Sequence, residues 1–253
     1  MPFDGIIFPR MFDISKVEFG TPKSIDNGGK MISVNYDGNR FNVHTPPMRC
    51  PHGLTEWQGG GGGAKDGPQK RSIGASFGKY EENERLGDFH AMMTELDHLL
   101  IKQALDNSKA WFKVEHSSVD VVEALYTPLV KVSNEFRMSV GNYCEVYDGN
   151  RNLVEMDSVD LKDAVVQAII QCNGVWIAGG RFGCTWRVVQ LQVFSNRSRL
   201  PRIAFKPDEE YEFNAPPEDG GIIPPEDGGI IPPETPTWNA PHQSIFTGVF
   251  YVE

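Results

Sequence analysis

The chain lacks any run of about 18 apolar residues, the length that a membrane-spanning helix needs. Its first residues, MPFDGIIFPRMFD, lack the basic start and the apolar stretch of a secretory signal. Cysteine is scarce as well. The four cysteines are Cys50, Cys144, Cys172 and Cys184, and they form neither a CxxC pair nor the pattern of a disulfide framework. These absences predict an intracellular protein in a reducing compartment.

Two long segments each lack charge of one sign. Residues 207–253 contain ten of the 34 acidic residues and no lysine or arginine. The other 24 acids, in residues 1–206, balance all 24 basic residues, so the net charge of −10 comes from the C-terminal segment. Such asymmetry is typical of an acidic interaction tail. We therefore divide the chain into a body, residues 1–206, and a tail, residues 207–253.

The tail has low complexity. PPEDGGII occupies residues 216–223 and repeats at 224–231. Pro-Pro and Gly-Gly steps oppose both helix and central strand, so we expect an extended, flexible linker. The chain then ends in the apolar and aromatic segment TPTWNAPHQSIFTGVFYVE. Two interpretations of this end stay open: a tethered peptide that docks on a partner, or a terminal strand that adds to the sheet of the body.

The body reads as mainly β. Short β-branched and aromatic runs fill residues 14–57, and YDGNRF has the Asp-Gly centre of a hairpin turn. A Gly-rich stretch, residues 58–71, predicts a mobile loop. Apolar spacing predicts a helical insert over residues 83–126, with one helix over 83–107 and a shorter one over 117–126. Strand patterns return after Pro128. We predict a mainly β body with one or two inserted helices, either an OB-like barrel or a small sandwich.

The second segment that lacks charge of one sign is residues 164–207, which contain no Asp or Glu. The functional hypothesis rests on this segment. Six basic residues lie in it: Arg181, Arg187, Arg197, Arg199, Arg202 and Lys206. Five aromatic residues are interleaved with them: Trp176, Phe182, Trp186, Phe194 and Phe205. Cations bind the phosphates of an unpaired strand, and flat rings stack on its bases. The segment therefore predicts a surface for single-stranded nucleic acid, although a surface for another protein or an acidic ligand has the same signature.

We assign roles to the residues of this surface. Trp176, Phe182 and Trp186 are expected to stack on bases, Arg181, Arg187, Arg197, Arg199 and Arg202 to bind phosphates, and Lys65, Lys70 and Arg71 to close over the strand from the Gly-rich loop. Strand alternation in TWRVVQLQVF places Trp186 with Gln190 and Gln192 on one face, and Arg187 on the other. Aromatic residues in strands are more often core than ligand platforms, so burial of these rings is the competing interpretation.

No pattern indicates catalysis. HTPPMRCPH brings His44, Cys50 and His52 close in sequence, but a structural zinc site needs four ligands in paired spacing. Residues 59–63 are all glycine, but the Lys-Ser/Thr of a phosphate-binding loop does not follow them. The basic segment has no accompanying carboxylate cluster, which disfavours metal-dependent phosphoryl chemistry. We predict a non-enzymatic protein with no metal and no cofactor.

Four sequence blocks carry a family resemblance. In chain order they are FNVHTPPMRCPHGL, NSKAWF, EALYTPLV and GVWIAGGRFGCTWRVVQLQV. The set resembles a protein of nucleocytoplasmic large DNA viruses, especially those infecting algae and protists. It is also similar, more distantly, to the poxvirus and asfarvirus type of single-stranded DNA-binding protein, which likewise ends in an acidic tail. The resemblance covers about residues 14–194, and its last block is the most specific.

The resemblance implies an OB-fold core, no catalysis and a role in coating DNA during viral replication, recombination or repair. We expect the partners to be single-stranded DNA and viral replication proteins bound through the acidic tail, with no membrane and with self-association left open. The expected location is the infected host cell, at cytoplasmic or nuclear replication sites. The main alternative is a virion structural protein, such as a minor capsid or scaffold component.

Overall fold

A computed structural model describes residues 5–25, 28–58 and 69–194 of the chain. The strands before the helices are β1 (Ile6–Ile7), β2 (Val17–Phe19), β3 (Lys23–Ser24), β4 (Lys30–Ile32), β5 (Val34–Tyr36), β6 (Asn39–Arg40), β7 (Asn42–His44), β8 (Met48–Cys50), β9 (Leu54–Gln58) and β10 (Gln69–Ser76). The helices are α1 (Glu84–Asp106), α2 (Ser108–Phe112) and α3 (Val119–Leu125). The later strands are β11 (Tyr126–Thr127), β12 (Glu135–Tyr147), β13 (Leu153–Val154), β14 (Ala164–Ala178) and β15 (Arg181–Phe194).

Five strands close into a ring. β14 and β15 form a long antiparallel hairpin, and β15 pairs in parallel with β12. β12 pairs with β10, β10 meets β8 at Ser76 and Arg49, and β8 returns to β14. β7 and β4 pair with further stretches of β14. Five strands that close on themselves leave few open edges, and this agrees with the predicted OB-like architecture.

The β14–β15 hairpin turns on two glycines. Gly179 and Gly180 have φ values of 59° and 75°, which match a two-residue turn of the type that continues the twist of its strands. Further down β14, Asn173 is an extra residue in the ladder to β15. Gly174, which follows it, has a φ of 114°, and a Cβ there would collide with the carbonyl oxygen of Ile32. The hairpin therefore depends on glycine at both its tip and its bulge.

A second irregularity lies at Val189 of β15. Gln190 pairs with Ile169 while Val188 pairs with Ile170, so Val189 is an extra residue opposite β14. Because of this bulge, Trp186 and Val188 point into the core, whereas Gln190 and Gln192 lie half-buried on the outer side of the ring. The predicted sharing of one face by Trp186, Gln190 and Gln192 is therefore wrong, since one extra residue reverses the alternation after Val188.

Helix α1 matches the helix predicted over 83–107. The side chain of Asn83 accepts a hydrogen bond from the backbone N–H of Leu86 at 3.2 Å and caps its start. The buried face of α1 consists of Phe89, Met92, Met93, Leu96, Leu100 and Ala104. Phe89 packs edge-on against the buried Phe136 of β12, with ring centroids 5.6 Å apart, so the helix packs on the core side chains of the ring. Among the described residues, no helix is both long and apolar enough to cross a membrane.

The chain is mainly β with inserted helices, as predicted. α3 lies within the predicted range 117–126, and α2 is an additional short helix between the two predicted ones. The turn predicted in YDGNRF joins β5 to β6 through Asp37 and Gly38, both with positive φ. The body–tail boundary at residue 206 and the loop centre at 59–68 lie outside the described residues and stay predictions.

Candidate nucleic-acid interface

Polar side chains line the outer side of three neighbouring strands, and we call this surface the outer face. It consists of Arg40, Asn42 and His44 near and on β7, Gln167, Gln171 and Asn173 on β14, and Arg187, Gln190 and Gln192 on β15, with Ile169 of β14 as an apolar residue among them. On β7 the alternate residues Phe41 and Val43 lie in the core. Period-2 alternation thus presents Arg40, Asn42 and His44 together to the outside.

A row of hydrogen bonds crosses the middle of the outer face. Gln171 of β14 lies between Arg187 of β15 and Asn42 of β7 in the strand register. Arg187 donates from Nη2 to Oε1 of Gln171, and Gln171 donates from Nε2 to Oδ1 of Asn42 at 2.7 Å. Since Arg187 has five N–H groups, this bond positions the guanidinium and leaves most of its donors available.

A shallow cleft lies beside this row. Its walls are Ser33, Val34, Asn35, Arg40, Gln171, Cys172, Asn173 and Arg187. Among the residues that the structure describes, two guanidinium groups and three amide side chains contribute to the lining, and no carboxylate does. Arg40 forms no ion pair within the described part of the chain and is exposed. A guanidinium group can bind a phosphate through two parallel hydrogen bonds. An amide side chain can both donate a hydrogen bond to a base edge and accept one from it.

A second groove continues the outer face in the other direction along β14 and β15. Its lining includes His44, Gln167, Gln190, Gln192, Tyr147 and Arg151. The amides are held in place: Gln167 donates to the carbonyl of Thr45 at 3.1 Å, and Gln192 to the carbonyl of Asp148 at 3.3 Å. Burial lowers the pKa of His44, so this imidazole is neutral at pH 7. The groove therefore combines these neutral polar groups with the apolar residues Ala168, Ile169 and Leu191, and Arg151 contributes a cation to its lining.

Two of the predicted site residues lie at the hairpin tip. Arg181 is exposed at the start of β15. Trp176 is half-buried on the outer side, opposite Gly183. Its ring crosses this glycine closely, because a Cβ at Gly183 would lie 3.0 Å from Cζ2 of Trp176. Arg181, Trp176 and Arg187 thus belong to the same hairpin and the same side of the sheet.

Phe182 and Trp186 are core residues. Phe182 is 0% exposed and packs against Tyr126 and Phe112, with centroid distances of 5.0 and 5.4 Å. Trp186 is 1% exposed, and its ring lies 5.1 Å from that of Phe41. Neither ring is accessible to a base in this structure, so the stacking role assigned to these two residues is corrected. The competing interpretation, burial of strand aromatics, applies to both.

Two of the three cations expected from the Gly-rich loop, Lys70 and Arg71, do not join the outer face. Lys70 is exposed on β10, which is separated from β15 by β12. Arg71 is half-buried; its Nη2 donates to Oδ1 of Asn142 at 3.3 Å, and its Nη1 lies 3.9 Å from a carboxylate oxygen of Asp157. Lys65, Arg197, Arg199 and Arg202 lie outside the described residues, so their roles stay predictions.

Sequence reasoning missed Arg40, Asn42, Gln171 and Asn173. Arg40 and Asn42 alternate with apolar residues in NRFNVH, which is a readable strand signal. Their place beside β14 was not readable, because about 130 residues separate β7 from the strand with which it pairs. Within the described residues, His44, Cys50 and His52 form no ligand cluster: His52 instead contacts a carboxylate oxygen of Glu135 at 3.0 Å.

The ring and its outer face define a protein of OB-like architecture that presents a polar, basic sheet surface. The chain belongs to the family of unknown function DUF5871, whose model matches residues 85–214. No curated protein sequence matches it.

Solved structures of one phage protein are similar to the chain. One is the single-stranded DNA-binding protein from bacteriophage Enc34 in complex with single-stranded DNA, with 11% sequence identity and a TM-score of 0.40 over 70% of this chain and 96% of that chain. A C-terminal truncation of the phage protein has 12% identity and a TM-score of 0.38 over 71% and 97% of the two chains.

Proposed function

We propose that this protein binds single-stranded DNA on the outer face, without sequence preference and without catalysis. The observation that carries the proposal is the cleft in which Arg40 and Arg187 stand among amide side chains, with no carboxylate among the described residues that line it. The guanidinium groups would neutralise phosphates and release their counterions, which gives an affinity that does not depend on sequence.

The amides explain why the ligand would be a single strand. In a duplex, the Watson–Crick edges of the bases are paired and hidden, whereas an unpaired strand exposes them. Asn173 of the cleft is exposed, and Gln167, Gln190 and Gln192 of the groove are half-buried, so these amides can exchange hydrogen bonds with such edges. Because an amide both donates and accepts, these contacts would suit every base, as a sequence-independent coating protein requires.

The biological role proposed here is viral DNA replication, recombination or repair in the infected cell, at cytoplasmic or nuclear sites. Support comes from the four sequence blocks that resemble proteins of nucleocytoplasmic large DNA viruses. Viral replication proteins would bind the tail, residues 207–253, whose charge is entirely acidic. This part of the proposal rests on the sequence alone, since the tail lies outside the described residues.

Binding of labelled oligo-dT, followed by fluorescence anisotropy, tests the function. Affinity should fall steeply between about 50 and 200 mM salt, and a duplex of equal length should bind more weakly. Arg187→Gln should weaken binding and reduce the salt slope by about 1, because one phosphate contact is lost. Lys102→Gln is the charge-matched control, since Lys102 is exposed on helix α1 and lines neither the cleft nor the groove.

A flat salt response, or equal affinity of the Arg187→Gln variant and the unchanged protein, would contradict the proposal. Failure to bind oligo-dT at any salt concentration would favour the virion structural role instead.

The acidic tail is proposed to compete with DNA for the outer face. A variant with Glu218→Gln, Asp219→Asn, Glu226→Gln and Asp227→Asn keeps the length and the repeats of the tail but removes four charges. It should bind oligo-dT more tightly than the unchanged protein at low salt, and the difference should shrink as salt screens the charges. Unchanged or weaker binding at low salt would count against competition.

A further inference from the structure

Tyr143 of β12 is an aromatic residue turned fully to solvent. Its side chain is 98% exposed, whereas Phe136 and Met138 earlier on the same strand are buried. Exposing a large ring gives up the stabilisation that aromatic burial provides. An exposed aromatic residue on a rigid strand is therefore an observation that needs an explanation.

The strand around Tyr143 leaves the ladder. Val140 pairs with Val188 of β15, and the next pair joins Glu145 to Gln190. Four residues of β12, Gly141 to Cys144, thus stand opposite the single residue Val189. Both neighbours of Tyr143 are anchored: Asn142 accepts the hydrogen bond from Arg71 at 3.3 Å, and Cys144 is half-buried. The bulge is consequently held on each side of Tyr143 while its ring points outward.

The register places Tyr143 beside the outer face. Ser139 pairs with Arg187, and Glu145 pairs with Gln190, so Tyr143 lies on the segment between these two pairs. Ser139 and Glu145 are both exposed, which shows that this side of β12 continues the surface of β15. The nearby carboxylate of Glu145 accepts hydrogen bonds from Gln190 at 2.7 Å and from Tyr147 at 3.1 Å. Two neutral side chains thus use acceptor sites of this carboxylate.

We infer that Tyr143 is a stacking platform for an unpaired nucleobase, on the segment of β12 that follows the register partner of Arg187. The inference rests on the proposed function. It extends that function by assigning base stacking to an exposed ring on β12, because the rings of Phe182 and Trp186 on β15 are buried. A flat ring accepts any base, so the contact preserves sequence independence. The Arg187 guanidinium, which faces the same side from the neighbouring strand, would bind a phosphate of the same nucleic-acid strand.

The test compares two ligands and three substitutions. Tyr143→Ala should weaken binding of oligo-dT by about 5- to 150-fold, the range that loss of one stacked base implies. Tyr143→Phe and Tyr143→Trp should keep affinity within about threefold, since both retain a π-face. On a strand of equal length that carries abasic sites throughout, Tyr143→Ala should bind as well as the unchanged protein. Val132→Ala is the matched control, since Val132 is also fully exposed and precedes β12.

The outcomes separate this inference from the function on which it rests. Absence of oligo-dT binding by the unchanged protein would overturn the function itself. Salt-dependent binding that Arg187→Gln weakens but Tyr143→Ala leaves intact would overturn only the stacking role. Equal weakening by Tyr143→Ala on oligo-dT and on the abasic strand, or loss of affinity in Tyr143→Phe as large as in Tyr143→Ala, would also overturn it.

Discussion

Arg187 and Gln171, on adjacent strands of the hairpin, share a hydrogen bond in which the guanidinium Nη2 donates to the amide Oε1. Gln171 is held in turn by Asn42, so the orientation of Arg187 is fixed by two further strands of the sheet. The Arg187 side chain then loses little additional conformational freedom when a ligand binds to it. Preorganisation of this kind favours affinity, because less conformational entropy is lost on binding.

The first prediction concerns Gln171→Glu, a substitution that keeps shape and adds a charge. The carboxylate would form an ion pair with Arg187 and repel phosphate, so oligo-dT affinity should fall by about tenfold or more. The free energy of unfolding should also fall, by about 1–3 kcal/mol, since position 171 is buried and a carboxylate cannot donate the hydrogen bond that Gln171 gives to Asn42. Anisotropy and urea unfolding measure the two quantities.

Gln103→Glu supplies the control, because Gln103 lies on helix α1 and lines neither the cleft nor the groove. Equal affinities of the two variants would show that position 171 is not part of the interface.

The second prediction distinguishes the two tryptophans of the hairpin. Trp186→Ala empties a core position that is 1% exposed and should lower the free energy of unfolding by about 3–5 kcal/mol. Trp176→Ala removes a half-buried ring and should cost clearly less. Urea unfolding monitored by circular dichroism measures both. A Trp186→Ala variant as stable as the unchanged protein would be incompatible with the packing against Phe41 described above.

The third prediction concerns pH and Asp97 of helix α1. Burial raises the pKa of Asp97 above its ordinary value of 3.8, despite hydrogen bonds from the Tyr126 hydroxyl and the Leu129 N–H. The folded state therefore holds this proton more tightly than the unfolded chain does. The resulting stabilisation is complete below pH 3.8 and is lost as the pH rises through the folded-state pKa.

Asp97→Asn has no proton to lose and can still accept both hydrogen bonds. Relative to the unchanged protein, its free energy of unfolding should therefore rise between about pH 4 and pH 7. Urea unfolding of both proteins at these two pH values provides the check. A relative stability that falls over this interval would mean that the hydrogen bonds outweigh the burial of the carboxylate.

Local patterns were sufficient for the elements that depend on nearby residues. The spacing of Phe89, Leu96 and Leu100 predicted helix α1, and Asp-Gly predicted the turn between β5 and β6. Both features arise from interactions within a few residues, namely helical periodicity and positive φ at Asp37 and Gly38. The mainly β class followed from the same kind of information.

The interface depended on information that local patterns lack. Arg187 was identified from charge, but its partners Gln171 and Asn42 come from strands that meet it only in the folded sheet. Trp186 was assigned to the wrong side because strict alternation was assumed through Val189. The pattern of EFRMSVGNYCEVY does not indicate the exposure of Tyr143, because it predicts one regular strand, whereas the folded strand bulges at Gly141 to Cys144. A bulge forms where one strand has more residues than its partner over the same stretch of pairing. The sequence of one strand alone does not contain this information.

The extra residue Val189 shifts the alternation of inward and outward side chains along β15 by one position. Before it, odd-numbered residues of β15 face outward and even-numbered ones inward; after it, Gln190 and Gln192 take the outward positions while Leu191 and Val193 fill the core. Deleting this one residue would reverse the parity of every position that follows it, exchanging amides for leucine and valine on the exposed surface. The composition of the polar surface is thus set by the count of residues between Arg187 and Gln190 as much as by their identities.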